Sequence, residues 1–123
     1  MALKCEVRQS GDVSILDLKG ALSLGERPGM AGTMHLLDQV RGLVSSGKTN
    51  ILLNFAGISL MDSSGIGQLI GTYTSARTHG GRIKILKPSR EVREMLELTQ
   101  LTKVLEVYDD EARALQAFAR DAD

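Results

Sequence analysis

The sequence is poor in the residues on which several common classes of protein depend. Its 123 residues include one cysteine, two prolines, two tyrosines, two phenylalanines and no tryptophan. Because Cys5 is the single thiol, it cannot form an internal disulfide or a multi-thiolate metal site, which is typical of a reducing compartment. With so few aromatic side chains, we expect one domain, residues 1–123, whose core is mainly aliphatic and needs no covalent staples.

The chain also lacks net charge and long apolar runs. Fifteen basic side chains balance fifteen acidic ones, so we expect no nucleic acid partner, since phosphate backbones are bound by an excess of Lys and Arg. No segment approaches the roughly 20 apolar residues that cross a bilayer, and the first residues contain no apolar stretch of signal-peptide length. We therefore expect no membrane insertion and a cytoplasmic location.

The charges that are present are unevenly distributed. Residues 77–93 hold six basic and one acidic side chain, whereas residues 94–123 hold three basic and eight acidic ones. Runs of charge usually form solvated surfaces, and steering of a partner is the alternative role. Because the two stretches have opposite signs, they are expected to attract each other in the folded protein.

Apolar periodicity predicts alternating strands and helices. A β-hairpin is predicted from strands Cys5–Gln9 and Val13–Lys19, with turn residues between them. The later strands are predicted at Ile51–Phe55, Ile83–Leu86 and Val104–Val107, and the helices at Met30–Ser46, Ser63–His79, Ser89–Glu97 and from Asp109 or Asp110 to Phe118. This order predicts an α/β fold with a mixed sheet, antiparallel at its start and parallel afterwards, with helices packed against it.

For two of these helices the sequence predicts which residues are buried. The helix from Ser63 is expected to bury Ile66, Leu69, Ile70, Tyr73 and Ala76, and to expose Ser64, Gln68, Thr72 and Ser75, with Gly67 and Gly71 beside them. That outer face is small, polar and nearly uncharged, so another protein's backbone could come close to it. The last helix is expected to bury Ala112, Leu115 and either Phe118 or Ala119.

The segment 50–71 joins a buried strand to a helix start, an arrangement that nucleotide-binding proteins and hydrolases also use. The run Gly65–Gly71 is one residue longer than the dinucleotide fingerprint, and the next strand ends in Leu86 and Lys87 without the expected acid. A hydrolase would need a base near Ser63, but His79 lies about 24 Å along the same helix. Distance does not exclude His35, yet no orienting group or G-x-S-x-G elbow supports catalysis. We therefore predict a non-enzyme without catalytic residues, metal or cofactor, and keep a catalytic domain as the third hypothesis.

With nucleotide binding and catalysis set aside, the notable feature of this segment is Ser63, a serine in the first turn of a helix, directly after Asp62. Either Asp62 or Ser63 is expected to be the N-cap. The run Leu60–Gly67, which reads Leu-Met-Asp-Ser-Ser-Gly-Ile-Gly, resembles the motif of STAS-domain anti-sigma factor antagonists, the SpoIIAA/RsbV-like group. Leu18-Lys19-Gly20, Gly80-Gly81 and the segment 92–101 resemble that family too. The resemblance covers most of the chain and implies a STAS (SpoIIAA-like) fold.

The resemblance also implies a function. In that family the unphosphorylated antagonist binds an anti-sigma factor that is a serine kinase of the GHKL type, and the sigma factor is released. Phosphorylation ends the binding, and a PP2C-type phosphatase restores it. On this sequence the implied phosphorylation site is Ser63, with Ser64 as the second candidate. A weak homodimer is also expected. The expected partner-binding residues are Ser23, Asp62, Ser63, Ser64, Gly67, Gln68, Gly71 and Thr72.

Physical chemistry is consistent with such a switch. A phosphate adds a charge of about −1.5 to −2, which a helix N-terminus tolerates, whereas a close interface must desolvate or expel it. The sequence departs from the family at one place, where Gly20-Ala21-Leu22-Ser23 replaces a Gly-Glu-Leu-Asp type of stretch. Ser23 thus stands where the family's acid touches its kinase. The alternative hypothesis is a STAS scaffold subunit of a larger signalling or transport assembly, in which Ser63 is only a helix cap.

Overall fold

The hairpin and the alternating elements predicted above are present. The structure, a computed structural model, describes residues 3–23 and 31–121, with side chains from residue 36 onward in the second range. Its strands are β1 (Lys4–Ser10), β2 (Val13–Leu22), β3 (Asn50–Met61), β4 (Arg82–Leu86) and β5 (Val107–Tyr108). Its helices are α1 (Ala31–Ser45), α2 (Ser63–Thr78), α3 (Arg90–Leu98) and α4 (Glu111–Asp121), with a 3-10 turn at Leu101–Lys103. The predicted helix start at Met30 and the side chain of His35 lie outside the described residues.

The sheet has the mixed topology that the element order predicts. β1 pairs antiparallel with β2 through a register that ends at Ser10 opposite Val13. Gly11, in the turn between them, has a φ of +56°, a left-handed conformation that glycine adopts without strain. The strand order is β1-β2-β3-β4-β5, and each pair after the first is parallel. The predicted mixed sheet, a hairpin followed by parallel strands, is therefore confirmed.

Helices cover both faces of the sheet. α1, α2 and α3 contribute Val40, Leu69 and Leu96 to the larger core cluster, which also contains Leu53 of β3. On the opposite face, Phe118 of α4 packs in a smaller cluster with strand residues that include Leu52. Because successive residues of a strand point to opposite faces, a strand covered on both sides is apolar throughout. That requirement explains the continuous apolar run at the start of β3.

The length of β3 corrects the sequence-based prediction. The segment after Phe55, which lies beyond the end of the predicted strand, continues the strand to Met61 and pairs with β2 as far as Leu22. Two register shifts occur in this pair, and each places one extra residue in β3. Such bulges break the period of two, so the buried residues Phe55, Ile58 and Met61 are three apart. The strand was missed because its sequence does not alternate.

Two further predictions near the end of the chain were wrong in part. The last strand is Val107–Tyr108 rather than Val104–Val107, and Val104 is 50% exposed after the 3-10 turn. α4 buries Phe118, as one of the two predicted alternatives, and Leu115 is half-buried against the same cluster. It also buries Ala114 and Ala117, whereas Ala112 and Ala119 are exposed. Because alanines occur on every side of this helix, their positions do not indicate which side is buried. The packing of Phe118 determines the buried face.

The two oppositely charged stretches are in contact, as expected. Lys84 Nζ lies 2.7 Å from Glu106 Oε1 and 2.8 Å from Asp121 Oδ2, while Arg93 pairs with Asp109. These pairs join β4 and α3 to the acidic end of the chain. Within the described ranges, none of the helices is both long and apolar enough to span a bilayer.

Candidate functional site

The ends of β2 and β3 bring the first two predicted site residues together. The last paired residues of these strands are Leu22 and Met61, so Ser23 and Asp62 follow at the same edge of the sheet. The Ser23 hydroxyl donates a hydrogen bond of 2.6 Å to Asp62 Oδ2. Side chains thereby continue the contact between the strands one residue beyond the backbone ladder.

Asp62 is the N-cap of α2, which settles the choice between Asp62 and Ser63. Its backbone is extended, with φ −110° and ψ −172°, and its Oδ1 accepts a 2.9 Å bond from the Gly65 amide. The Ser64 hydroxyl donates to the same oxygen at 2.6 Å. The bonds from Ser23, Ser64 and Gly65 stabilise the carboxylate and lower the pKa of Asp62 to about 2. Asp62 is therefore a fixed negative charge at neutral pH.

Gly65 allows the first turn of α2 to approach β2. A Cβ atom at this position would lie 1.9 Å from the carbonyl oxygen of Leu22 and 3.0 Å from Met61 Cγ. No side chain fits there, so the position requires glycine for contact between backbones. This glycine is explained by packing, without a bound phosphate.

The two candidate serines have different environments. Ser63 is exposed at the first residue of α2, and in the described part of the chain nothing hydrogen-bonds to its side chain. Ser64 is half-buried, with its hydroxyl held by Asp62. A group-transfer reaction on a hydroxyl needs an accessible oxygen. Of the pair, Ser63 has the more accessible one.

The outward face of α2 differs from the predicted one at two positions. Thr72 is fully buried and Ile70 is 43% exposed, so the placement of Thr72 on the outer face and of Ile70 in the core was wrong. At about 100° per residue, Thr72 lies only roughly 40° from buried Ala76 on the helix surface. Burial of its hydroxyl is tolerated because Oγ1 donates to the Gln68 carbonyl oxygen at 2.8 Å.

The exposed face therefore consists of Ser63, Gly67, Ile70, Gly71 and Thr74, with Gln68 on its half-buried flank. Cβ atoms built on Gly67 and Gly71 would meet nothing within 4 Å. The sequence signal that could have identified Ile70 is its angular position, because it is further from the centre of the buried stripe than Leu69. Counting apolar residues alone hides that difference.

Among the described residues named at this site, Asp62 is the one that carries a formal charge. Between Asn50 and Ala76, Asp62 is the sole charged residue. The described residues contain no cluster of three or more His, Cys, Asp or Glu side chains that could hold a metal ion. Hydrogen bonding, close backbone approach and the exposed hydroxyl groups of Ser63 and Thr74 are the properties this surface offers.

Comparisons with known protein families match almost the whole chain. Residues 4–114 match the family model described as the STAS domain. A relative from Paenibacillus polymyxa, named anti-sigma F factor antagonist, is 32% identical over an alignment of 120 residues, with coverage of 94% of this chain and 94% of the relative.

Solved structures agree on the fold. The chain resembles the anti-sigma factor antagonist SpoIIAA in its unphosphorylated form, with a TM-score of 0.67, 22% identity and coverage of 97% of this chain and 98% of that one. It resembles the phosphorylated form of the Bacillus cell fate determinant SpoIIAA with a TM-score of 0.69 at 21% identity, covering 94% and 99%. At these identities the similarity demonstrates a shared fold.

Proposed function

The chain belongs to the STAS-domain family, and on that basis we propose that it is an anti-sigma factor antagonist switched by phosphorylation of Ser63. The name of the Paenibacillus polymyxa relative supports the first half of the proposal, because the two sequences align over 94% of both chains. The second half rests on the geometry around Asp62. In this proposal the unphosphorylated chain binds an anti-sigma factor, and phosphorylation releases it.

One observation supports Ser63 over its neighbour as the phosphorylated residue. Asp62 holds the Ser64 hydroxyl at 2.6 Å and leaves the exposed Ser63 side chain unbonded within the described structure. A kinase could reach the Ser63 oxygen without breaking a hydrogen bond. Phosphorylation of Ser64 would remove one of the three bonds that hold the helix cap.

The expected effect of the phosphate is local repulsion and desolvation. It adds a charge of about −1.5 to −2 beside Asp62, which stays ionised because the pKa of its carboxyl is about 2. No other charged side chain lies between residues 50 and 76, so the phosphate would be the largest charge on this surface. The free amide groups at the start of α2 tolerate it, and the fold should survive while the interface does not.

The proposed docking surface is the exposed face of α2 together with Ser23. Gly67 and Gly71 leave the helix backbone uncovered, and Ile70 supplies an apolar side chain between them. A partner that packs closely here must place neutral groups against α2. A phosphate at Ser63 would then have no water and no counter-charge unless the partner moves away.

The remaining parts of the cycle are proposals too. The partner would be an anti-sigma factor that is itself a GHKL-type serine kinase, and a PP2C-type phosphatase would remove the phosphate. The function needs no catalytic residue, metal or cofactor on this chain, and a cytoplasmic location would give access to sigma factors. One STAS domain over residues 1–123 is sufficient for it.

The decisive experiment is capture of the partner followed by phosphosite mapping. The tagged chain would be expressed in its own cells, recovered with bound proteins and incubated with ATP, and the phosphorylated residue identified by mass spectrometry. We expect phosphate on Ser63 and release of the partner. The Ser63→Ala variant should stay bound after ATP is added, whereas Ser63→Glu should bind at least about tenfold more weakly, equivalent to about 1.4 kcal/mol.

Ser64→Ala is the matched control, because it should still be phosphorylated and released. Phosphate on neither serine in the presence of a bound kinase would refute the switch. A stable assembly that ignores ATP and binds Ser63→Ala and Ser63→Glu equally would favour the scaffold alternative.

A further inference from the structure

The outer edge of β1 has no partner strand among the described residues. β1 is the first strand in the sheet order and pairs only with β2 there. Four successive residues along it, Glu6, Val7, Arg8 and Gln9, are exposed. Because an exposed strand edge is a template for another strand, the hydrogen-bonding groups and charges along this edge determine what can pair with it.

The hairpin register fixes which backbone groups of β1 point outward. Ser10 lies opposite Val13, and since the two turn residues between them cannot bond to each other, Ser10 and Val13 exchange backbone hydrogen bonds. The pattern alternates along the strand, so the amide and carbonyl groups of Cys5, Val7 and Gln9 face away from β2. Within the described ranges nothing bonds to these groups. The edge therefore offers alternating donors and acceptors with the spacing of a strand.

This edge is complementary to a second copy of itself. Two antiparallel strands pair when outward-facing residues lie opposite each other. In the register centred on Val7, that residue faces Val7 of the second copy, and Cys5 of each copy faces Gln9 of the other. Each of these pairs would exchange two backbone hydrogen bonds. All residues of β1 overlap in this register, so it satisfies every outward-facing group of the strand.

Charge favours the same register. Like charges directly opposite each other on neighbouring strands are destabilising. In the register centred on Val7, Glu6 of each copy faces Arg8 of the other. The register centred on Glu6 would instead set Glu6 against Glu6 and Lys4 against Arg8, and the one centred on Arg8 would set Arg8 against Arg8. Charges on an edge strand usually prevent pairing, but here their alternating signs make one self-pairing favourable.

Glu6 lacks a favourable charge within one copy of the chain. It lies opposite Asp17 in the hairpin, and the described residues provide it with no ion pair. Arg8 Nε lies 2.6 Å from Asp17 Oδ2, and Arg8 Nη2 lies 2.9 Å from Glu111 Oε1. Those two carboxylates orient the guanidinium and leave its Nη1 without a bond in the described part of the chain. Glu6 of a second copy would therefore meet a cation already held in place.

We propose that the chain forms a symmetric homodimer through β1, in which the sheets of two copies join antiparallel, edge to edge. The two-fold axis passes Val7, whose side chain is 41% exposed in one copy and would pack against its counterpart on the face opposite the ion pairs. Val7 lies opposite Leu16, seven residues before Ser23, so the interface is roughly 20 Å from the proposed docking surface. The dimer would present two such surfaces and does not depend on phosphorylation of Ser63.

The test begins with sedimentation equilibrium of the whole chain up to about 1 mM. We expect a reversible dimer with a dissociation constant of about 100 µM, weak because one strand pair buries less area than a standard interface. In a mixture of isotope-labelled and unlabelled chains, an intermolecular NOE should connect Hα of Glu6 to Hα of Arg8, since their Cα atoms would be about 4.5 Å apart. A chain that stays monomeric, or a dimer without this NOE, would overturn the proposal.

Charge reversal tests the register. Glu6→Arg and Arg8→Glu should each weaken self-association by at least about tenfold, because each sets like charges face to face. An equimolar mixture of the two variants should recover the dimer, because opposite charges then meet at both positions. Glu97→Arg is the matched control, an identical charge change at an exposed position of α3, and should dimerise as the wild type does. Wild-type affinity in Glu6→Arg, or no recovery in a mixture of folded variants, would contradict the proposal.

A backbone variant keeps the test valid if Arg8→Glu does not fold. Because the amide of Val7 points away from β2, Val7→Pro removes bonds to the second copy and none within the hairpin. Val7→Pro should abolish the dimer, whereas Val7→Thr, which keeps both the amide and the branched side chain, should retain it. Equal self-association of these two variants would show that β1 is not the interface.

Discussion

The Ser23 hydroxyl donates to Asp62 Oδ2 over 2.6 Å, immediately beyond the last paired residues of β2 and β3. This bond makes the largest contribution to lowering the pKa of Asp62 to about 2. It joins the end of one strand to the helix cap that follows the other. The proposed docking surface thus has a carboxylate that is held on both oxygens, by Ser23 on one and by Ser64 and Gly65 on the other.

Replacement of this hydroxyl by a second carboxylate should make stability depend on pH. In Ser23→Asp two carboxylates would share the site, so the pKa of the pair rises above that in the unfolded chain. Stability from a raised pKa is complete below the unfolded value and is lost as pH rises through the folded one. The free energy of unfolding should therefore fall by about 1–2 kcal/mol between about pH 4 and pH 7. Urea titrations across this range check the prediction, with Ser23→Asn as the uncharged control. The same dependence of stability on pH in Ser23→Asp and Ser23→Asn would contradict it.

Two glycines of α2 should respond in opposite ways to the same substitution. Gly65→Ala would place a Cβ atom 1.9 Å from the Leu22 carbonyl oxygen and should cost about 3 kcal/mol or more, since backbone must move. Gly67→Ala meets nothing within 4 Å and should stabilise by up to about 1 kcal/mol through helix propensity. Chemical denaturation of both variants provides the comparison. Equal effects would mean that α2 does not approach β2 as described.

The buried Lys84 should be replaceable by an apolar residue of similar length. Its side chain lies over the Phe118 ring at 5.1 Å, while its partners Glu106 and Asp121 are 51% and 33% exposed. Lys84→Met leaves those carboxylates to water and should change stability by less than about 1 kcal/mol at pH 7, whereas Lys84→Ala should cost about 2–3 kcal/mol. Unfolding free energies distinguish the two. If Lys84→Met and Lys84→Ala lost equal amounts of unfolding free energy, the stabilisation by Lys84 would come from its charge alone.

The ion pairs of Lys84 should make the stability of the protein fall as the pH is lowered. Burial alone would lower the pKa of Lys84, but Asp121 and Glu106 raise it, and Lys84 in turn lowers the pKa of both carboxyl groups. Groups with a lowered pKa stabilise the fold above their unfolded value, and that stability is lost as pH falls. Between about pH 5 and pH 2 the wild type should therefore lose more stability than Lys84→Met. Parallel acid-unfolding curves for the two proteins would contradict this.

Ile70 and Leu69 are neighbours in sequence with different expected roles. Leu69 is fully buried, whereas Ile70 is 43% exposed. Leu69→Ala should destabilise the protein by about 2–5 kcal/mol, but Ile70→Ala should change stability by less than about 0.5 kcal/mol. On the proposed interface, Ile70→Ala should weaken partner binding by about tenfold. Thermal unfolding and a binding titration with the captured partner test both halves, and unchanged affinity would remove Ile70 from the interface.

Much of the fold followed from local patterns. The hairpin turn, the four helices after the first strand pair and the cap at Asp62 lie within a few residues of their predicted positions, because turn residues, helical spacing and capping chemistry act locally. β5 and the second half of β3 were misplaced. A bulge or a two-residue strand has no period to detect, and its position depends on the strand beside it.

The candidate site, like the fold, could be predicted from the sequence only in part. From its motif alone, Ser63 could be assigned to a helix start, and that assignment needs only the residues on either side of it. The sequence could not show that Ser23 reaches Asp62, since they are separated by 39 positions and meet only because parallel strands end at one edge. The angular positions of Ile70 and Thr72 on the helix could be derived from the sequence, but the side of α2 that packs on the sheet is fixed by the close approach of Gly65 to Leu22.

The sequence by itself therefore determined the order of elements and the stretch 50–76 whose one charged residue is Asp62, both of which are properties of adjacent residues. Only the tertiary structure decided which hydroxyl that carboxylate holds, which serine is left exposed and which side of α2 faces outward. Those choices depend on close approach between distant segments, where a distance of 1.9 Å to a missing Cβ atom excludes every residue but glycine.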